Sequence, residues 1–189
     1  MYFQNRHFAL MNVAVFLLLG SVGCACKYPG APQPYSIQVT LDSAVQSRKV
    51  DVVVDLVAIN VAETPAWEDM SVTDYFNPAD PKELRKGVVK KTLEFLRGGE
   101  AVKTFSPTDP QWNEIWGNWQ AGGARNLFVL LDMPEKFDDA KGDLDPRRRM
   151  LPLGKCAYDD TVMKNNTLRL SVTPRGLVVE TPYKSPDER

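Results

Sequence analysis

Apolar and polar positions alternate over residues 35–41 (YSIQVTL): Tyr35, Ile37, Val39 and Leu41 fall on one side of an extended backbone and Ser36, Gln38 and Thr40 on the other. This is the period of a half-buried strand. After a polar connection, 42–48, the β-branched stretch 49–59 (KVDVVVDLVAI) is long enough for a central strand. Period two puts Asp51, Val53, Asp55 and Val57 on one face and Val50, Val52, Val54, Leu56 and Ala58 on the other, so both acids are expected on an outer, solvent-facing side. Over 60–81 the pattern breaks at Pro65, Pro78 and Pro81, which predicts a long excursion containing a helical turn capped by Ser71. A further helix over 82–89 is weakened by Gly87 and two valines. Residues 92–105 (TLEFLRGGEAVKTF) are two alternating runs about Gly98 and Gly99, the signal of a hairpin.

The clearest helix lies over 108–123. Asp109 can cap it, Pro110 suits the first helical position, and Gly122 and Gly123 end it. Trp112, Ile115, Trp116 and Trp119 recur at helical spacing, so three indoles share one face, an amphipathic stripe expected to seal one end of the core, with a binding platform as the other reading. Residues 125–133 (RNLFVLLDM) are almost continuously apolar and predict a buried strand. An acidic loop follows, then Arg147, Arg148 and Arg149, and the chain closes with TLRLSV, a turn over 173–176, and LVVET, a second hairpin. About seven strands joined mostly by hairpins and irregular loops predict a mainly β domain over 35–182, an antiparallel β-sandwich with one or two short helical insertions, followed by a tail over 183–189.

The N-terminus changes where this domain is expected to live. Residues 11–19 are nearly all apolar, the basic charge lies upstream at Arg6, and the run ends at Gly20, Ser21 and Gly23. That core is too short for a bilayer span of about 20 residues and reads as the h-region of a signal peptide over 1–23. Cys24 follows, and Lys27 begins KYPGAPQP, whose prolines suit an extended tether over 24–34. The only histidine, His7, lies within the expected signal. The remainder therefore excludes Ser-His-Asp and Cys-His catalysis and His-ligated zinc, and it is expected to be no enzyme. Its near-neutral charge gives no electrostatic reason to expect nucleic acid. No cofactor is implied. Asp138, Asp139, Asp143 and Asp145 around Gly142 offer oxygen ligands of the kind calcium takes, but the spacing departs from an EF-hand, so a solvated loop and no metal are expected. The arginines can neutralise those acids or contact lipid phosphates. Cys26 and Cys156 either pair in an oxidising compartment or remain thiols.

The stretch Ser21-Val22-Gly23-Cys24 resembles the lipobox of bacterial lipoproteins, with Cys26 a second candidate for lipidation. That resemblance implies a diacylglyceryl group on Cys24 and, with Ala25 rather than Asp following, an outer-membrane address at the periplasmic face. The order of lipobox, tether, paired YSIQVTL and VDVVVDLVAI, an excursion with DYF, RNLFVLLDMPEKF and the final TLRLSV…GLVVET pair is similar to the outer-membrane lipoprotein of type VI secretion systems. The resemblance implies a small two-sheet sandwich that anchors an envelope complex and binds the periplasmic part of an inner-membrane protein. It makes the loop between the first two strands, Ser43, Ala44, Val45, Gln46, Ser47 and Arg48, the expected docking surface. The alternative from the residues themselves is a lipid-anchored module that captures a glycan or another ligand on Trp112, Trp116 and Trp119.

Overall fold

The computed structural model describes residues 34–77, 87–158 and 164–183. The expected signal, Cys24, Cys26, the tether up to residue 33, residues 82–86 of the expected helix and the tail beyond 183 lie outside the described residues, as does the Cys156 side chain.

Among the described residues, eight strands form two four-stranded sheets. They are β1 (Ser36–Leu41), β2 (Val52–Ile59), β3 (Lys90–Phe95), β4 (Val102–Phe105), β5 (Asn126–Asp132), β6 (Arg148–Pro152), β7 (Thr167–Thr173) and β8 (Gly176–Val179). One sheet has the order β4-β1-β7-β8 and the other β3-β2-β5-β6. The mainly β sandwich expected from alternation is therefore the fold. Its pairing is antiparallel except where β1 lies parallel to β7, with Ile37 opposite Leu168 and Leu41 opposite Val172.

The inner faces meet in one core. Ile37, Val39, Phe105, Leu168, Leu170, Val172 and Leu177 come from one sheet, and Val52, Val54, Leu56, Phe95, Leu127, Val129, Leu131 and Leu151 from the other. The helix α4 (Trp112–Ala121) closes one end of this core. It begins two residues later than Pro110 suggests. Gln111 is the capping residue, and Asp109 contributes by accepting from the Gln111 N–H at 2.9 Å.

The expected first hairpin is corrected. The runs about Gly98 and Gly99 are not a hairpin: β3 pairs with β2, β4 pairs with β1, and the turn carries the chain from one sheet to the other. Alternation identifies a strand but not its neighbour, and a short glycine turn serves a sheet crossover as readily as a hairpin. No strand is expected at the arginine run, yet its last two members open one: β6 begins at Arg148. Three consecutive cations hide the alternation from hydropathy alone.

The outer face of β2 is covered as well. Helices α2 (Thr64–Asp69) and α3 (Val72–Phe76) place Trp67, Met70, Val72 and Tyr75 over Val57, Ile59, Phe128 and Leu130 as a second apolar cluster. Ser71 caps α3 as predicted, its hydroxyl accepting from the Asp74 N–H at 3.0 Å. Asp51 is exposed, but Asp55 is not solvent-facing as expected: it is 1% exposed beneath the excursion. Its carboxylate accepts from Tyr75 Oη at 2.8 Å, Lys90 Nζ at 2.5 Å and Thr92 Oγ1 at 2.5 Å. Three donors satisfy a charge that burial alone would strongly disfavour.

Candidate docking surface

Strand register decides which connections share an end of the sandwich. Leu41 lies opposite Val172, Thr40 opposite Val102, Val52 opposite Phe95 and Val53 opposite Asp132. The β1–β2, β3–β4 and β7–β8 connections and the start of the β5–β6 loop therefore gather at one end. Pro34, which precedes β1, is at the other end, where its carbonyl accepts from Asn166 Nδ2 at 3.1 Å.

The β1–β2 connection folds as α1 (Ser43–Ser47). Asp42 starts it by accepting from the Ala44 N–H at 2.8 Å. Val45, 1% exposed, plugs the core end, whereas Ser43, Ala44, Gln46, Ser47 and Arg48 are exposed. Gln46 Nε2 donates to the Leu41 carbonyl at 2.7 Å, and Ser47 Oγ to the Ala44 carbonyl at 2.9 Å, so α1 is fastened by its own side chains. Arg48 pairs with Glu135 across the sandwich end. Lys49 turns the chain into β2 with φ +52°, a left-handed conformation uncommon for a residue with a side chain. The six expected docking positions thus form one held turn of helix on a single connection. Neither the Glu135 partnership, 87 positions away, nor the Lys49 conformation has a sequence signal.

The tryptophan platform is corrected by burial. Trp112, Trp116 and Trp119 are 3%, 3% and 2% exposed. Trp116 meets Tyr35 edge-on with centroids 5.2 Å apart, Trp112 stacks on Trp116 at 4.7 Å, and Trp119 Nε1 donates to the Val89 carbonyl at 2.8 Å. The indole face predicted from spacing exists, but it faces inward and offers a glycan no stacking surface.

The acidic loop and arginines form a structural clamp. Asp145 is fully buried and receives two donors from the Arg147 side chain, at 3.1 and 2.9 Å. Arg147 also donates to Thr73 Oγ1 at 3.0 Å and pairs with Asp139. Asp139 in turn accepts from Ser71 Oγ at 2.8 Å and the Thr73 N–H at 3.1 Å, holding the start of α3. Burial pushes the Asp139 carboxyl up, but the Thr73, Ser71 and Arg147 donors outweigh it and hold the group below the usual carboxylate range. At Arg147 burial opposes the charge, and the bonds and charges of Asp145 and Asp139 more than restore it. Burial pushes Asp143 up and Arg148 down from their ordinary values. The side chain of Arg148, 0% exposed, donates to four carbonyls, those of Trp67, Met70, Gly142 and Ala140, at 2.7 to 3.0 Å. Arg149 donates to the Asp145 carbonyl at 3.1 Å. Arg147 and Arg148 are consequently engaged inside the domain and do not form a surface for lipid phosphates. Among the described residues no group of three or more His, Cys, Asp or Glu side chains is arranged to hold a metal, and no helix is long and apolar enough to cross a membrane.

No family model matches the chain, and no curated protein does. Among solved structures it is similar to Serratia marcescens Lip, described as a membrane-bound component of the type VI secretion system, with 15% identity over 81% of this chain and 99% of that one and a TM-score of 0.45. It is also similar to a chain of a type VI membrane complex, with 14% identity over 78% and 98% and a TM-score of 0.46. The type VI lipoprotein TssJ1 of Pseudomonas aeruginosa shares 12% identity over 81% of this chain and all of its own, with a TM-score of 0.41.

Proposed function

We propose that this chain is a non-catalytic lipoprotein that docks a partner in a type VI-like secretion envelope complex. In this reading Cys24 carries the lipid at the periplasmic face of the outer membrane, and α1 with Arg48 receives the periplasmic domain of an inner-membrane protein. The observation that supports it most is directional. β1 runs from Pro34, where the expected tether enters the domain, to α1, so that entry point and the candidate docking surface lie at opposite ends of a six-residue strand, about 20 Å apart. An anchored domain built this way presents α1 away from its membrane. The lipobox resemblance and the absence of histidine after His7 support the same reading.

The test has two parts. Intact mass of membrane-extracted protein should show a diacylglyceryl group that Cys24→Ala removes. The wild type should also bind the purified periplasmic domain of the core inner-membrane protein from the same secretion system. An unlipidated protein without that binding would remove both halves of the proposal.

A further inference from the structure

Both sheets end on the same flank in strands that, among the described residues, have one neighbour each: β3 beside β2, and β4 beside β1. Between these two edges lies an open cleft of about 570 Å³. Leu96, 67% exposed, and Val102, 45% exposed, border it, although both could have been covered by a continued sheet. An edge strand leaves a row of backbone N–H and C=O groups outward, and an extended segment is the shape that pairs with them.

The charges in the cleft narrow what that segment is. Two inward-facing lysines guard it, the device by which edges resist indiscriminate pairing. Lys91 is already matched: its ammonium pairs with Asp109 at 2.9 Å, donates to Gln111 Oε1 at 3.1 Å and lies over the Phe105 ring. Lys103 is different, for it sits 6.0 Å over the Phe95 ring and has no carboxylate partner among the described residues. A second copy pairing antiparallel through β4 in a register centred on Lys103 would bring another Lys103 toward this charge instead of a counter-charge. The acids Glu94 and Glu100 also line the cleft and disfavour an occupant with several carboxylates.

We propose that the β3–β4 flank is a strand-addition site for an extended partner segment that places one acidic residue opposite Lys103. The neighbouring alternate side chains of that segment are apolar and lie toward Val102. This pairing extends the β4-β1-β7-β8 sheet by a strand, fills the cleft and supplies the counter-charge that Lys103 lacks. It uses the lateral flank and is independent of docking at α1.

The test uses two synthetic acetylated hexapeptides, TVEVTV and TVKVTV, titrated into the isotope-labelled domain and followed by amide chemical shifts. The wild type should bind the glutamate peptide at least tenfold more tightly, with shifts concentrated in β3 and β4. Lys103→Glu, shown to be folded by its circular dichroism and melting point, should reverse that preference. Equal binding of both peptides, no binding up to millimolar concentration, shifts outside this flank, or no reversal in Lys103→Glu would overturn the proposal. A wild-type dimer that Lys103→Glu abolishes would overturn it in favour of a second copy as the occupant.

Discussion

Replacing Arg148 with methionine keeps a long apolar stem in place and removes only the guanidinium. In the native domain that group gathers the carbonyls of Trp67 and Met70 from the α2–α3 excursion and those of Ala140 and Gly142 from the acidic loop. A hydrogen bond from a charged donor contributes roughly 1.5–3 kcal/mol, and a buried acceptor left without a partner costs about 1–3 kcal/mol. The four are not additive, because the excursion can lift and hydrate its carbonyls, and removal of a fully buried charge recovers desolvation free energy. We therefore expect a loss of about 3–5 kcal/mol for Arg148→Met, in the range seen when one member of a buried polar network is removed. Arg148→Lys, with a compact ammonium in place of the planar fork, should recover only part of it. Urea unfolding followed by tryptophan fluorescence measures the difference. The native-state exchange of amides in α2 and α3 should accelerate more than that of β1 and β7. A loss below about 1 kcal/mol, or uniform acceleration across both sheets, would refute the idea that Arg148 fastens the excursion.

Trp116→Ala should cost about 3–5 kcal/mol, as expected for a buried aromatic in contact with Tyr35 and Trp112, and should abolish part of the near-ultraviolet dichroism; an unchanged melting point would contradict its core role. Because the Asp139 carboxyl titrates lower in the folded state than in the unfolded chain, its contribution is present above the unfolded value near pH 4 and declines as pH falls through the folded value. Asp139→Asn should flatten that part of the acid-stability curve; an unchanged curve would show that the Ser71–Thr73–Arg147 cradle does not act on this group. Gly176 has φ +110°, and a Cβ there would lie 2.2 Å from the Pro146 carbonyl oxygen, so Gly176→Ala should destabilise by at least about 2 kcal/mol in chemical denaturation. A neutral Gly176→Ala would mean that the β7–β8 turn and the β5–β6 loop separate without cost.

Much of the fold was legible because inner-face alternation is local. Residues 35–41, 49–59 and the closing hairpin announce their strands through side chains that all face one core, and Ser71 announces its cap through the N–H three residues on. What could not be read depends on long-range neighbours. Whether the strands flanking Gly98 and Gly99 pair with each other or with β1 and β2 is decided by how two sheets share one core, not by the turn. Asp55 was assigned the right face, but only the tertiary placement of Tyr75 makes that face an interior. The same limit applied to the sites. Helical spacing puts three tryptophans on one face and points it at the core, and the packing of Tyr35 and Phe105 shows that it looks inward rather than serving as a platform. The position of α1 opposite Pro34 follows from strand direction and was implicit in the sequence; the link from Arg48 to Glu135 was not.

The most direct test of the docking account places a bulky charge on the exposed surface of α1 without touching its fastening. Ala44→Arg leaves the Asp42 cap, the Gln46 bond to Leu41 and the Val45 plug intact, so its melting point should match the wild type. Binding to the purified periplasmic domain, measured by biolayer interferometry, should fall at least tenfold. A folded Ala44→Arg variant that binds as tightly as the wild type would contradict the assignment of α1 as the docking surface.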